Sequence, residues 1–234
     1  ARGVARRRPL QALSPGIALT ALGGTLALVL QTSLAGKFAV WDRLLDELQL
    51  GGRERILDLG CGRGAVLMAA ARRLGGGHAV GVDLWRADQS GNSPGATRKN
   101  AELEGVSSTV SLLTADMTRL PFPDATFDAV LSNLAVHNLH GEDRRTAVEE
   151  AVRVLRPGGR VVLVDLAFTR AFARRLEEAG MVDVRRRNAG WRMWFGGPCF
   201  PAHIVAARRP RQPLTSGRVQ PGRASTRPSP PPTA

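Results

Sequence analysis

The residues best suited to chemistry in this sequence are three aspartates set around a glycine turn and one histidine further along. The turn is Gly60-Cys61-Gly62 in "ILDLGCGRG" (56–64), where a run of apolar residues breaks on glycines. Glycines there let a backbone approach a nucleoside-bearing ligand closely, and Gly60, Gly62 and Ala65 satisfy the G-x-G-x-x-G/A pattern. Asp58 stands two residues before Gly60. Asp83, followed by Leu84, ends the next apolar run 23 residues after Gly60, where a carboxylate can accept from both hydroxyls of a ribose. Asp116 and Met117, in "TADM", offer an acceptor for an exocyclic amine and a thioether for a ring face. His137, in "SNLAVHNL", can exchange a proton near neutral pH, although a histidine at a helix start is as readily satisfied by backbone. Asn138 and His140 are weaker candidates. No His, Cys, Asp and Glu grouping has the spacing of a metal site.

Strands and helices must alternate to bring these residues together, and the pattern predicts that they do. Strand 55–59 leads to helix 63–74, and strand 78–83 to helix 95–104, which has Ser93 as cap and Pro94 at its first position. Strands 109–113 and 127–132, helix 142–155, strand 160–166 and helix 170–179 follow, with short strands at 182–187 and 203–208. Upstream, Phe38, Trp41, Leu44, Leu45 and Leu48 give residues 37–50 one apolar helical face. The alternation predicts a doubly wound α/β fold, a mostly parallel Rossmann-like sheet with helices on both faces.

The flanks differ from this core. The chain divides into a hydrophobic segment (1–36), a domain (37–208) and a Pro/Arg-rich tail (209–234) expected to be disordered. Residues 1–36 carry four Arg and residues 207–234 six, with no acid in either, so of the net charge of +13 only about +3 belongs to the core. The basicity is therefore terminal, and no specific nucleic-acid partner is expected. Residues 9–36 are uncharged and long enough to meet a membrane as a span or interfacial anchor. An accessory helix and a cleaved signal are the alternatives. Two cysteines, Cys61 and Cys199, make no disulfide framework. A cytoplasmic protein, attached or not to the cytoplasmic membrane, is the expectation.

Which cofactor the turn holds depends on what surrounds it. A carboxylate at Asp58 would repel a pyrophosphate but could receive a cationic amino group. With Asp116-Met117 and "VLRPGGRVVLVD" (154–165), the region 37–208 resembles class I S-adenosylmethionine-dependent methyltransferases, in particular the small-molecule type with "LPFPDATFDAV" before the fourth strand. That resemblance implies a seven-stranded sheet with an antiparallel C-terminal hairpin and S-adenosyl-L-methionine as cofactor. It implies that Asp58, Gly60, Cys61 and Gly62 frame the methionine moiety, that Asp83 and Leu84 meet the ribose, that Asp116 and Met117 meet adenine, and that Asn133 lies beside the cofactor. Two further stretches, "GVDLWRADQSGNSPGATRKNA" (81–101) and "GWRMWFGGP" (190–198), are similar to bacterial methyltransferases with hydrophobic N-terminal segments.

The acceptor is expected to be a small molecule, apolar or membrane-associated if the first segment meets a membrane. His137 is the candidate base. Gln89 and Asn92 in the polar loop "DQSGNS", and Trp191 and Trp194 in the aromatic patch, are candidate acceptor contacts; turn chemistry for the loop and core packing for the aromatics are the alternative readings. A nicotinamide-dependent oxidoreductase and a non-catalytic S-adenosylmethionine-binding domain stand as alternatives.

Overall fold

The computed structural model describes residues 15–86, 91–195 and 197–211, with side chains from Leu22 onward. The polar-loop candidate Gln89, and the tail from residue 212, lie outside the described residues.

Seven strands form one sheet: β1 (Arg55–Leu59), β2 (His78–Asp83), β3 (Val110–Thr114), β4 (Phe127–Asn133), β5 (Leu155–Asp165), β6 (Val182–Asn188) and β7 (His203–Arg208). Their order is β3-β2-β1-β4-β5-β7-β6, with β7 antiparallel to both neighbours. Helices α3 (Ala65–Ala71), α4 (Pro94–Leu103), α5 (Gly141–Arg153) and α6 (Thr169–Glu178) connect the strands. They follow α1 (Pro15–Gln31) and α2 (Lys37–Glu47), which are joined by π-helical residues Thr32–Gly36. Each helix start found in the sequence falls close to its expected place. Ser93 Oγ accepts from Ala96 N at 3.1 Å, as its capping role requires.

The central strands are apolar on both faces because both faces are covered. Successive side chains of a strand point to opposite sides. Accordingly Ile56, Ala129, Leu131, Val162 and Val164 pack with α2 and α3, while Leu57, Val130, Val161 and Leu163 pack with α5 and α6. The edge strand β6 carries Arg185, Arg186 and Arg187, charges that oppose pairing with another chain.

Three expectations are amended. Strand β5 begins at Leu155 rather than 160, because Pro157-Gly158-Gly159 forms an irregularity within the strand, where the pairing with β4 jumps from Leu155 to Arg160, and not a turn before it. Helix α3 ends at Ala71, three residues short of the expected limit; Arg73 N bonds the carbonyl of Ala70 three residues back, and its guanidinium reaches Asp42 and Asp46 of α2. Finally, no helix among the described residues is long and apolar enough to cross a membrane. Helix α1 runs through the π-helical turn into α2 and exposes Leu22, Leu26, Leu30, Leu34 and Phe38, one row at steps of four residues. Where it joins the domain, Gly36 is pressed so closely on the carbonyl of Arg192 that any Cβ would overlap it, and Thr32 Oγ1 donates to Trp194 O at 2.9 Å.

Candidate functional site

A cleft of about 300 Å³ opens at the carboxyl ends of β1, β2 and β4, where the strand order reverses direction. Ligands of open parallel sheets bind at such a reversal, since the two flanking connections leave on opposite faces and part there.

The turn after β1 forms one wall. Gly60 and Cys61 donate their N–H groups to the carbonyl of Val82 at 2.9 and 3.1 Å, pinning the turn to β2. Gly60 has φ +67°, and a Cβ there would fall 2.3 Å from that of Ala135, so a side chain fits neither the backbone nor the space. Asp83 lines the cleft and fixes the next part of the turn. Its Oδ2 accepts from Gly62 N and its Oδ1 from Trp85 N, both at 2.8 Å. Each of these oxygens keeps a lone pair for a ligand hydroxyl. From the other side Thr97, on the first turn of α4, donates its hydroxyl to Gly62 O at 2.7 Å.

Asp58 is 1% exposed, and its Oδ2 has no hydrogen-bond partner. Burial, with Asp83 adding to it, pushes this carboxyl up to about 8, against a smaller opposing pull from the Leu67 backbone. The sequence reading gave Asp58 a standing negative charge. Burial instead favours its protonated form in the free protein, and a cation close by would favour ionisation. Burial, with Asp58 and Asp83 adding to it, also drives the Cys61 thiol upward, so Cys61 serves as a small neutral side chain in the cleft wall.

Leu84, Asn92, Asp116, Met117 and Asn133 line the same cleft. Asp116 Oδ1 is taken by the backbone N–H and hydroxyl of Thr118, both at 2.8 Å, which leaves Oδ2 for a ligand. Asn133 Oδ1 accepts from the indole N–H of Trp41 at 2.8 Å, a link between β4 and α2 across 92 residues. Lys37 also lines the cleft; burial, and then Arg63 beside it, hold its ammonium below the usual lysine range. The sequence assigned Lys37 no role in the site. A cation at that position gains meaning from the fold, which carries α2 back over the turn.

His137 stands beside the cleft, between the lining residues Ala135 and Asn138 in sequence. Its backbone N–H donates to Asp165 Oδ2 at 3.1 Å, and its Nδ1 bonds Asp165 Oδ1. Asp165 is 1% exposed, ends β5, and accepts from Leu166 N as well. A buried carboxylate on Nδ1 fixes the ring tautomer with Nε2 as the acceptor. Asp165 went unassigned in the sequence although it closes "VVLVD"; its position at a strand end was the available signal.

The aromatic patch sits elsewhere. Trp191 is half exposed under the Arg192 guanidinium, 4.8 Å from its ring, and Trp194 forms a bridge with Pro201. Neither lines the cleft.

The buried orphan oxygen of Asp58, the Gly60 turn without side chains and the acceptors on Asp83 and Asp116 fit a ligand with an ammonium, a ribose and an aminopurine. Residues 57–163 match a family described as "Methyltransferase domain". The chain is 35% identical over 147 residues to 27-O-demethylrifamycin SV methyltransferase of Amycolatopsis mediterranei, covering 59% of this chain and 50% of that protein. It is 31% identical over 133 residues to the ubiquinone/menaquinone biosynthesis C-methyltransferase of a Ruegeria species, covering 56% and 50%. The chain thus spans about half the length of the curated relatives it matches. Geranyl diphosphate C-methyltransferase from Streptomyces coelicolor, solved with S-adenosyl-L-homocysteine, superposes with a TM-score of 0.59 at 20% identity, covering 73% of this chain and 75% of that one, and so shares its fold.

Proposed function

We propose, from the premise that residues 57–163 form a class I methyltransferase domain, that the protein transfers a methyl group from S-adenosyl-L-methionine to a small-molecule acceptor. The observation carrying this reading is the glycine turn and Asp83 on one cleft, with the Asp58 carboxyl buried at the end of β1 two residues before the turn and one of its oxygens unpartnered.

When bound, the cofactor supplies a methyl group on a sulfonium, already activated for displacement. Asp58 receives the methionine ammonium, Gly60, Cys61 and Gly62 admit the adjoining chain, Asp83 accepts from the ribose with Leu84 beside it, and Asp116 and Met117 hold adenine. Asn133, oriented by Trp41, borders the reacting end. His137 removes the acceptor's proton at Nε2, and Asp165 stabilises the resulting imidazolium through Nδ1. Such a positioned base contributes about 10²- to 10⁴-fold to rate. Holding the acceptor in line supplies the rest of the local catalysis.

The exposed leucine row of α1 supports an acceptor drawn from a lipid surface. It carries no charge over five large apolar residues and ends at Phe38, next to Lys37 on the cleft. An exposed row of large apolar side chains without charge suits contact with a lipid surface.

Calorimetric titration of the full chain with S-adenosyl-L-methionine, S-adenosyl-L-homocysteine and NAD tests the cofactor. Binding of the first two, lost in Asp83→Ala, is expected; binding of NAD alone would overturn the reading. A radiolabelled-methyl assay against fractionated cell extract then identifies the acceptor pool, and no label in the small-molecule or lipid fractions would refute the acceptor class.

A further inference from the structure

Beside the cofactor cleft, α5 and α6 enclose a second one of about 520 Å³ that the proposed chemistry leaves unused. We propose that it receives a remote part of the methyl acceptor, an apolar, flat body bearing an anionic group, a carboxylate or a phosphate. The inference rests on the methyltransferase reading and adds an acceptor class to it.

Phe168 caps α6 in the left-handed region, φ +59°, a conformation costly for a residue with a side chain. Phe168 is nevertheless 49% exposed, so core packing does not compensate the strain. The Arg144 guanidinium lies over that ring, 3.7 Å from its centroid, giving the cleft an aromatic surface already topped by a cation. Arg174 lines the cleft and makes no ion pair among the described residues, whereas Arg145 and Arg175 share Glu142, Glu149 and Glu178. Phe172, Val148 and Ala171 complete an apolar floor. Apolar walls with four guanidiniums, of Arg144, Arg145, Arg174 and Arg175, against the one lining carboxylate of Glu178 suit an amphiphilic anion better than a neutral or a cationic molecule.

The cleft is also tied to the base. Phe168 follows Asp165 by three residues on one connection, and Arg144 Nη1 donates to the carbonyl of Leu139, which lines the cofactor cleft two residues after His137. The segments that carry the His137–Asp165 pair therefore continue directly into the stacked Arg144–Phe168 pair. An acceptor lying along them places one end at Nε2 and the other against Arg174.

The test uses the full chain with three probes sharing one ring: 1-naphthyl phosphate, 1-naphthoate and 1-naphthol. Each is titrated by calorimetry into wild type, Phe168→Ala, Arg174→Gln and, as a surface control, Arg98→Gln. At least one anion is expected to bind more tightly than naphthol, and the preferred one distinguishes phosphate from carboxylate. Removing Arg174 should weaken the anion about threefold, an exposed charge contact, and removing the Phe168 ring about fivefold. Arg98→Gln should bind as wild type, and S-adenosyl-L-homocysteine affinity and melting temperature should hold in Arg174→Gln. Anion binding no tighter than naphthol, or unchanged in both cleft variants, would overturn the proposal. Loss of S-adenosyl-L-homocysteine binding in the wild type would instead strike the methyltransferase reading, and the probe result would still decide whether the cleft takes anions.

Discussion

Replacing Asp58 by Asn tests the central claim about the cofactor site, because the two side chains match in shape and differ in the one property at issue. Free Asp58 is held at about 8 by burial, so at pH 7 the wild-type carboxyl is mostly protonated and the amide is a close neutral substitute. The free variant should therefore fold at least as stably as wild type at pH 7, because wild type must take up a proton on folding and the amide does not. Binding is different. Leaving one partner of a buried ion pair without the other costs about 3–5 kcal/mol. Wild type must first ionise Asp58, and one pH unit below its pKa that costs about 1.4 kcal/mol. The difference, about 1.6–3.6 kcal/mol, corresponds to S-adenosyl-L-homocysteine binding weakened about 15- to 450-fold in Asp58→Asn. Calorimetry in buffers of different ionisation enthalpy gives a second readout. Wild type at pH 6.5 should release close to one proton on binding, and the variant none. A variant that binds within threefold of wild type, or a wild type that releases no proton, would refute the assignment of Asp58 to the ligand's ammonium.

Four other outcomes follow from the same geometry. Because the folded pKa of Asp58 lies above its unfolded value, its contribution to stability is complete below about pH 4 and is lost as pH rises through about 8; urea denaturation of the free protein from pH 5 to 8 should show a decline that Asp58→Asn lacks. His137→Ala should lower single-turnover methylation about 10²- to 10⁴-fold with S-adenosyl-L-homocysteine affinity unchanged, and Asp165→Asn should shift the pH–rate profile; equal rates would remove the base from the mechanism. Gly60→Ala places a Cβ 2.3 Å from that of Ala135 at φ +67°, and strain plus overpacking should cost about 2–5 kcal/mol in urea denaturation. If the α1 row lies on lipid, co-sedimentation with anionic vesicles should fall when Leu26 and Leu30 become Ser; unchanged binding would exclude that row as the contact.

What the sequence determined by itself is the local framework of the site. An apolar run ending on glycines leaves little choice but a buried strand and a close-approach turn, and the acid 23 residues on falls at the next strand end because strand, helix and strand each have a set length. Gly60, Gly62, Asp83, Asp116 and Met117 come to line one cleft for that reason: each is placed by its own element. The residues that escaped are placed by elements distant in the chain. Asp165 meets His137 only because β5 lies beside β4, Trp41 meets Asn133 only because α2 folds over the sheet, and Lys37 reaches the cleft by the same fold. An apolar strand shows that it is buried but not which strand it pairs with, so these contacts are invisible to periodicity. Two properties depended wholly on tertiary placement. The charge of Asp58 is decided by the solvent it loses, and the exposure of α1 by the absence of a described partner on its leucine row. Sequence names the groups; packing sets which of them meet, and in what dielectric they ionise.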